Sequence, residues 1–303
     1  MRLPPCMLVL LLAACAGERP APASAPELEV RVLSFNIRYG TAPDGTNAWP
    51  QRAELVFDVI RRERSDFVGL QEALRFQIDA IREAVPGYGE IGVGREDGAE
   101  GGEYSAILYR ADRWRVVDGD TFWLSDTPDV PGSKSWGNQI TRIVTWGRFV
   151  EAGTGRALQV FNTHFDHESQ PSRMRSAELL AERIAAREPR DPVIVTGDFN
   201  AGEDNPAILY LQGEQPQAPV RLVDTFRAVH PEAHPAGTFH EFTGRRGGPK
   251  IDYVFVEPGT RVTDARILYD HDEGRYPSDH YPVSAEVVLP AVAPRASACC
   301  GQP

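Results

Sequence analysis

Polar side chains that could perform acid–base or metal chemistry stand at the ends of apolar, strand-like runs of this 303-residue sequence. They are Asn36, Glu72, His164, Asp198 and Asn200, each at or just after the end of such a run, and Asp279 and His280, which precede the last run. If the ends meet at one edge of a sheet, these side chains form a pocket of three carboxylates, two amides and two imidazoles. Such a pocket suits one hard cation and one phosphate.

Each of these residues also has a simpler interpretation. Asp198 and Asn200, two positions apart after a strand, are typical of a turn, and Glu72 could cap a helix that begins near Leu74. A single histidine such as His164 is more often a structural residue than a catalytic one. The repetition of polar strand ends along the whole chain nevertheless favours a shared site.

Eight runs rich in β-branched and aromatic residues indicate strands. They cover residues 29–35, 66–71, 104–110, 142–150, 157–165, 192–199, 251–256 and 282–289. Apolar residues three and four apart, with Pro near the first turn, indicate helices at 50–63 and 171–187. Single helices placed between strands predict an α/β or α+β sandwich whose helices cover the sheet faces. No long linker interrupts residues 29–290, so we expect one catalytic domain there.

The N-terminal residues are typical of an export signal. Residues 1–15 combine Arg2, a short apolar run and small residues before Cys15. The segment "LAAC" resembles a bacterial lipobox, so we expect a signal peptide over 1–15 and lipidation of Cys15, with an ordinary secretory signal as the alternative. The Pro/Ala-rich residues 16–28 predict a tether, and residues 291–303 a flexible tail.

The expected location follows from this leader. We expect a membrane-anchored lipoprotein, on the periplasmic or surface side of the outer membrane, and a soluble periplasmic or secreted protein is the alternative. The formal net charge of −11 argues against a protein that follows a nucleic-acid backbone along a broad basic surface. The four cysteines form neither a disulfide framework nor a zinc-binding pattern.

Six segments, in order, carry a resemblance to a known family. They are "LSFNIRYG", "GLQE", "NTHFDH", "TGDFNA", "KIDYVF" and "PSDHYPV", and together they span nearly all of residues 31–289. The sequence resembles the endonuclease/exonuclease/phosphatase superfamily, whose fold is called DNase I-like. The resemblance implies a four-layered α/β sandwich, with two mixed β-sheets packed face to face, helices outside and the site at one edge.

The resemblance also implies a metal site. Glu72 would be the main ligand of Mg²⁺, with Asn36 close to the metal and Asp279 in or next to its coordination shell, because Mg²⁺ prefers one or two carboxylates plus water and substrate oxygens. Mn²⁺ is an alternative occupant of the same ligands.

The remaining matched residues would perform the chemistry of phosphoryl transfer to water, which depends on positioning and charge neutralisation. Asp198 would activate the attacking water, and Asn200 would bind the phosphate oxygens. His280 would contact the phosphate, while Asp252 would fix its tautomer by accepting the other ring proton. His164 would stabilise the leaving-group side.

Substrate contacts are less directly indicated. Arg142 could pair bidentately with a phosphate, although an arginine beside a strand is often solvated or ion-paired. Tyr104 and His240 are candidate pocket walls. Specificity is expected in loops such as 95–104 and 240–250, which a single sequence does not decode.

The sequence thus predicts a monomeric, metal-dependent hydrolase of a phosphate ester, whether nucleic acid, nucleotide, lipid head group or sugar phosphate. One alternative is a catalytically inactive, lipid-anchored binding protein of the same fold. Another is a zinc hydrolase like the metallo-β-lactamases, suggested by "THFDH" but weakened by Asn162, where that motif has a histidine. No G-x-S-x-G segment supports serine hydrolase chemistry.

Overall fold

The computed structural model describes residues 27–290. The predicted signal peptide, the lipidation at Cys15, nearly all of the tether and the C-terminal tail lie outside the described residues. Within residues 27–290, no helix is long and apolar enough to cross a membrane.

Twelve strands and five α-helices make up this part of the chain. The strands are β1 Leu28–Asn36, β2 Phe67–Gln71, β3 Tyr88–Ile91, β4 Ile107–Arg110, β5 Trp114–Trp123, β6 Ile143–Glu151, β7 Ala157–His164, β8 Val193–Asp198, β9 Val223–Asp224, β10 Asp252–Val256, β11 Arg261–Ile267 and β12 Val283–Leu289. The helices are α1 Trp49–Glu63, α2 Arg75–Ala84, α3 Gln170–Ala186, α4 Pro206–Leu211 and α5 Thr225–Val229, and one 3₁₀ turn lies at Gly45–Asn47.

The strands form two mixed six-stranded sheets. The first has the order β11-β12-β1-β2-β4-β3, and the second has the order β5-β6-β7-β8-β10-β9. Each contains one parallel pair, β1 with β2 and β7 with β8, among antiparallel neighbours. The two sheets enclose one apolar core, while α1 and α2 cover the outer face of the first sheet and α3 and α4 that of the second. This is the predicted four-layered sandwich, and the fold prediction is confirmed.

Strands between two covered faces must be apolar on both sides, and β8 illustrates this rule. Ile194 points into the core between the sheets, whereas Val193 and Val195 pack in the cluster beneath α3 and α4. Strand β10 alternates in the same way, with Val254 between the sheets and Phe255 outside. This double burial explains why these strands were recognisable as continuous apolar runs.

The register of the central strands brings their polar ends together. In the parallel pair β7 and β8, His164 lies opposite Asp198, and in the antiparallel pair β8 and β10, Asp252 lies opposite Asp198. In the facing sheet Asn36 ends β1 opposite the last residue of β2, so that Glu72 follows directly. Both sheets therefore deliver polar residues to one edge of the sandwich.

Candidate active site

A cleft of about 400 Å³ opens at this edge. Seven of the predicted site residues line it: Glu72, Arg142, His164, Asp198, Asn200, Asp279 and His280. Asn36 and Asp252 are buried and reach these residues by hydrogen bonds. The structure thus brings together all eight predicted catalytic and metal-binding residues.

Asn36 joins the two sheets within the site. Its Nδ2 donates to Glu72 Oε1 at 3.0 Å and to Asp198 Oδ2 at 2.9 Å, and it lies 3.5 Å from His280 Nε2. Its Oδ1 accepts the backbone N–H of Arg38 at 3.0 Å. Because one amide contacts carboxylates from both sheets, it fixes the distance between them.

Glu72 is held in the cleft by its backbone conformation. It has a φ of 60°, in the left-handed region that non-glycine residues seldom adopt, and Arg38 and Asn200 share this feature with φ values of 55° and 47°. Such conformations concentrate at functional sites, where the surrounding structure imposes them. Glu72 Oε2 accepts the N–H of Tyr39 at 3.1 Å. The N-cap of α2 is Leu74, so Glu72 does not cap the helix.

Asp252 and His280 form a buried pair. Asp252 Oδ2 lies 2.9 Å from His280 Nδ1, and His280 Nε2 points to Asp198 Oδ2 at 3.7 Å. Burial opposes the charged imidazole, but Asp252 and Asp198 outweigh it and raise the pKa of His280 well above its ordinary value. The ring is therefore a cation with one N–H held by Asp252.

Asp198 lies at the centre of the hydrogen-bonded network. Its Oδ1 accepts the N–H of Asn200 at 2.9 Å, so the turn interpretation of this pair is also realised, while its Oδ2 lies 3.4 Å from His164 Nε2. Burial, reinforced by the negative charge of Asp252, raises the pKa of Asp198 to about 7. A carboxylate that titrates near neutrality is suited to accept a proton from water.

His164 is a neutral partner on the opposite side of this carboxylate. Its Nε2 lies 2.9 Å from Asn200 Nδ2. Burial, together with the positive charges of Arg142 and Arg95, lowers the pKa of His164 well below its ordinary value. His280 is thus a cationic imidazole of the cleft and His164 a neutral one, because burial and the neighbouring arginines outweigh Asp198 at His164.

The predicted metal ligands fit a hard cation. Glu72 and Asp279 both line the cleft with carboxylate oxygens, the ligand type that Mg²⁺ and Mn²⁺ prefer. Arg38 contributes positive charge beside them, with its Nη1 4.0 Å from Glu72 Oε2 and its Nε 3.8 Å from Asp279 Oδ2. Burial and the nearby Glu72 raise the pKa of Asp279. A cation bound here would reduce the repulsion between these two carboxylates and would also neutralise part of the charge of a bound phosphate.

A second candidate metal site overlaps the catalytic pair. Asp198, Asp252 and His280 have possible ligand atoms within 4.8 Å of one another. His280 Nδ1 and Asp252 are engaged with each other, however, and Asp198 already accepts hydrogen bonds from Asn36 and Asn200. We interpret this trio as a proton and charge network and retain Glu72 and Asp279 as the predicted ligands.

The three predicted substrate contacts have different outcomes. Arg142 lines the cleft, 3% exposed, with its Nη2 3.0 Å from His167 Nδ1. Tyr104 does not line it, because its hydroxyl donates to the carbonyl of Ala99. His240 is also outside the lining, since its ring stacks on Tyr281 at 3.9 Å. Tyr104 instead lines a narrow recess behind the cleft, and the role of Tyr104 and His240 as pocket walls stays a prediction.

Sequence reasoning missed three charged residues of the cleft. Arg38 stands two positions after Asn36 in one of the six matched segments, so the sequence did indicate that it lies near the site. Arg95 and Glu103 lie at the two ends of the loop named as a specificity element and form a bidentate ion pair, at 2.6 and 2.8 Å. Their pairing depends on the fold of that loop and has no signature in the sequence.

The family can be assigned on a direct comparison. The model of the endonuclease/exonuclease/phosphatase family matches residues 33–280. The chain belongs to this family. The endonuclease/exonuclease/phosphatase assignment removes support for a metallo-β-lactamase-like zinc site, as does the position of Asn162. That residue is buried and donates to the carbonyls of Leu70 and Ala106.

Similar proteins agree with the family assignment. An endonuclease/exonuclease/phosphatase family protein from Bacteroides thetaiotaomicron is 34% identical with a TM-score of 0.79, over 88% of this chain and 99% of that one. A mannosyl-6-phosphatase from the same organism is 35% identical with a TM-score of 0.77, over 86% and 100%. The uncharacterized protein L388 of Acanthamoeba polyphaga mimivirus is 29% identical over 184 residues, 57% of this chain and 68% of its own length.

Proposed function

We propose that this chain hydrolyses phosphate monoesters with the aid of a divalent cation. The observation that supports this most strongly is the continuous chain of contacts through Asp252, His280, Asp198, Asn36 and Asn200 in a single cleft. A complete set of acid–base and phosphate-binding groups also argues against an inactive binding protein of the same fold.

Asp198 is the group that accepts a proton from the attacking water. It is almost fully buried, and its pKa of about 7 leaves a substantial unprotonated fraction at neutral pH. The hydrogen bond from Asn36 aims the carboxylate oxygen Oδ2, and that from the N–H of Asn200 holds Oδ1. This arrangement orients the base before substrate binds, which lowers the cost of reaching the transition state.

The phosphate is bound by donors on both sides of Asp198. His280 offers its Nε2 proton, held in place by the bond of Nδ1 to Asp252. Asn200 Nδ2 donates to the carbonyl of Phe165 and would turn its other N–H from His164 Nε2 to the phosphate. Such donors act on charge that develops in the transition state, and one is typically worth about 3–4 kcal/mol. Neutral His164, opposite His280, is placed to bind the leaving-group oxygen.

Glu72 and Asp279, with Asn36 beside them, would hold the cation. When bound, a divalent cation polarises the phosphoryl oxygens and neutralises part of their charge. The family assignment and the carboxylate lining support this proposal, and Mg²⁺ is the preferred candidate because the available ligands are oxygens.

A monoester is the preferred substrate class because the mannosyl-6-phosphatase shares 35% of its residues with this chain along its whole length. The test is a panel of mannose 6-phosphate, a nucleoside 5′-phosphate, phosphocholine, a dinucleotide and single-stranded DNA, each assayed with Mg²⁺ and with EDTA. We expect EDTA-sensitive release of inorganic phosphate from the monoesters. Asp198→Asn is the inactive control. Cleavage of the dinucleotide or DNA in preference to every monoester would contradict the proposal.

We also propose that the protein acts at the cell envelope, attached to a membrane through Cys15. The export signal and lipobox-like segment at residues 1–15 support this location.

A further inference from the structure

The loop of residues 95–104 forms a preorganised wall of the cleft. Its two ends are joined by the N–H of Arg95, which donates to the carbonyl of Glu103 at 3.0 Å. Inside the loop, Asp97 accepts the N–H groups of Ala99 and Gly101, both at 2.8 Å. Trp123 Nε1 donates to the carbonyl of Arg95 at 2.6 Å. These bonds fix the loop, so its side chains meet a ligand in a defined geometry.

The loop presents one ion pair to the cleft. Arg95 Nη1 lies 2.6 Å from Glu103 Oε2, and Nη2 lies 2.8 Å from Oε1, which makes the pair bidentate. The side chains are 11% and 16% exposed, and both line the cleft. A pair so placed is shielded from solvent yet reachable by a bound substrate.

The pair lies on the leaving-group side of the cleft. Arg95, Glu103, Arg142 and His164 together line both the main cleft and a narrow recess behind it. The charges of Arg142 and Arg95 act on His164, the residue placed to bind the leaving-group oxygen. A group attached to that oxygen would therefore lie on the side of the cleft that Arg95 and Glu103 line.

The hydrogen-bonding capacity of the pair is not exhausted by its internal bonds. Arg95 Nη1 and Nη2 each donate one N–H to Glu103 and each have a second N–H to donate, whereas Arg95 Nε is buried. Each carboxylate oxygen of Glu103 accepts one bond from Arg95 and can accept another. Donors and acceptors thus lie side by side, and a hydroxyl group, which both donates and accepts, complements such a surface.

The charge of the pair selects against a polyanion. Glu103 cancels the charge of Arg95, so this pair offers no net attraction to a second phosphate, and its carboxylate repels one. A phosphate-binding wall for a nucleic-acid strand would instead need uncompensated Arg or Lys side chains.

The geometry points to Arg95 and Glu103 as a hydroxyl-binding subsite that selects a sugar as the leaving group of the phosphate monoester. This inference rests on the proposed function and specifies its substrate class. Glu103 accepts hydrogen bonds from sugar hydroxyls, while Arg95 holds Glu103 in position and donates from the remaining N–H groups of its Nη atoms.

The test compares kcat/KM for mannose 6-phosphate with that for n-propyl phosphate, which has the same reacting bond but no hydroxyls. Wild-type protein should prefer the sugar phosphate. Glu103→Gln should lower that preference at least about tenfold, mainly through KM, because a bond to a charged acceptor is lost. Arg95→Lys, which keeps the charge but not the bidentate geometry, should lower it in the same direction.

Glu257→Gln is the matched control. Glu257 pairs with Arg187 at 2.6 Å and accepts the N–H of Val193, at the opposite end of β8 from the cleft. Glu257→Gln should leave the preference for the sugar phosphate within about twofold of wild type, since a substitution far from the cleft seldom affects it. Thermal melts of all variants show whether any loss reflects unfolding.

Four results would overturn the inference. Equal kcat/KM of the wild type for the two monoesters would refute the subsite and leave the proposed function standing. An unchanged preference in Glu103→Gln would remove Glu103 from the role. Preferential hydrolysis of a dinucleotide, improved by Glu103→Gln and weakened by Arg95→Lys, would assign Arg95 to a neighbouring phosphate. Hydrolysis of neither monoester would refute the proposed function itself and the subsite with it.

Discussion

The charges of the two histidines His280 and His164 depend on their burial and on the charged groups around them. His280 is flanked by Asp252 and Asp198 and becomes a cation, whereas His164 is buried near Arg142 and Arg95 and stays neutral. Asp198, buried between the two imidazoles, titrates near neutrality. When their environments give similar side chains different pKa values, one can act as an acid and another as a base in the same site.

Asp252 and His280 should behave as one unit in kinetics. His280→Ala should lower kcat by roughly 10²–10⁴, and Asp252→Asn should reproduce much of that loss by allowing the wrong tautomer at the 2.9 Å contact. The double variant should be little worse than His280→Ala alone, because cooperating groups are strongly non-additive. A double-mutant cycle of kcat measures this. Losses that multiply fully would make Asp252 a structural carboxylate.

His240 should make folding stability depend on pH. Burial, with the charge of His280, lowers the pKa of His240 to about 4, against about 6.5 when unfolded. Between these values the unfolded chain binds a proton that the folded protein does not, so stability falls as the pH falls through this window. The contribution is about 2 kcal/mol between pH 7 and pH 5.

His240→Phe provides the comparison for this effect, because a phenyl ring retains the stacking on Tyr281 and has no proton to bind. Urea unfolding at pH 7 and pH 5 should show a steeper loss in wild type than in the variant. Parallel losses would show that His240 does not contribute to the pH dependence.

The sequence predicted which polar residues meet in the cleft but not all of the walls around them. Asn36, Glu72 and Asp198 follow strands that are apolar on both faces, so their position at a sheet edge could be predicted. Tyr104 and His240 carry suitable side chains in suitable loops, yet their ring and hydroxyl contacts turn them into the interior. Such orientations depend on tertiary packing, which a local segment does not specify.

At the scale of elements, burial explains which strands and helices were predictable. The eight predicted strands correspond to eight central or well-buried strands, and both predicted helices are present within one residue of their expected bounds. Strand β5 was missed because residues 115–120 are largely exposed and three of the six, Arg115, Asp118 and Asp120, are charged. For helix α2, which is only ten residues long, the sequence predicted only a beginning near Leu74. Edge elements lack the continuous apolar signal of strands covered on both sides.

Helix α1 stabilises the site through one buried cation. Arg52 is 2% exposed and donates to the carbonyls of Asn47, Ile37, Arg38 and Pro277 at 2.6–2.9 Å. Ile37 and Arg38 follow Asn36, and Pro277 precedes Asp279 by two positions. Arg52 therefore joins two loops, one that follows Asn36 near the start of the domain and one that precedes Asp279 near its end. Both loops adjoin predicted metal ligands.

Replacement of Arg52 should cost more stability than any exposed arginine of α1. Arg52→Met leaves buried carbonyls without donors and should lower the free energy of unfolding by about 2–4 kcal/mol. Arg61→Met is the control, since Arg61 is 46% exposed and its ion pairs lie at the surface, where we expect a change within about 0.5 kcal/mol. Chemical denaturation measures both. Similar losses would show that Arg52 does not join the loops.

At the scale of the whole molecule, the two sheets act as rigid supports whose facing edges meet in the cleft. The register of β7, β8 and β10 and the amide of Asn36 set the distances within the site, so the chemistry depends on the sandwich as a unit. The family resemblance in six ordered segments was sufficient to predict this architecture. The Arg95–Glu103 ion pair could not be predicted, because it depends on how the loop of residues 95–104 closes. The arrangement of the two sheets does not determine that closure.

Membrane attachment is a separate prediction for the complete chain. If Cys15 is lipidated, the expressed protein should partition with membranes and carry the mass of the lipid, while Cys15→Ser should remain unprocessed or appear in the soluble fraction. Cell fractionation and mass spectrometry test this. Wild-type protein recovered unmodified and wholly soluble from the periplasm would refute the anchor and would not affect the catalytic proposal.

The most direct test of the account is the Mg²⁺ dependence of phosphate release in wild type and Glu72→Gln, measured together with calorimetric Mg²⁺ binding. Glu72 lines the cleft and accepts the amide of Asn36, so removing its charge should weaken Mg²⁺ binding and lower metal-stimulated turnover by at least about 100-fold. Glu257→Gln, the control outside the cleft, should retain both. A Glu72→Gln protein that binds Mg²⁺ normally and releases phosphate at the wild-type rate would contradict the account.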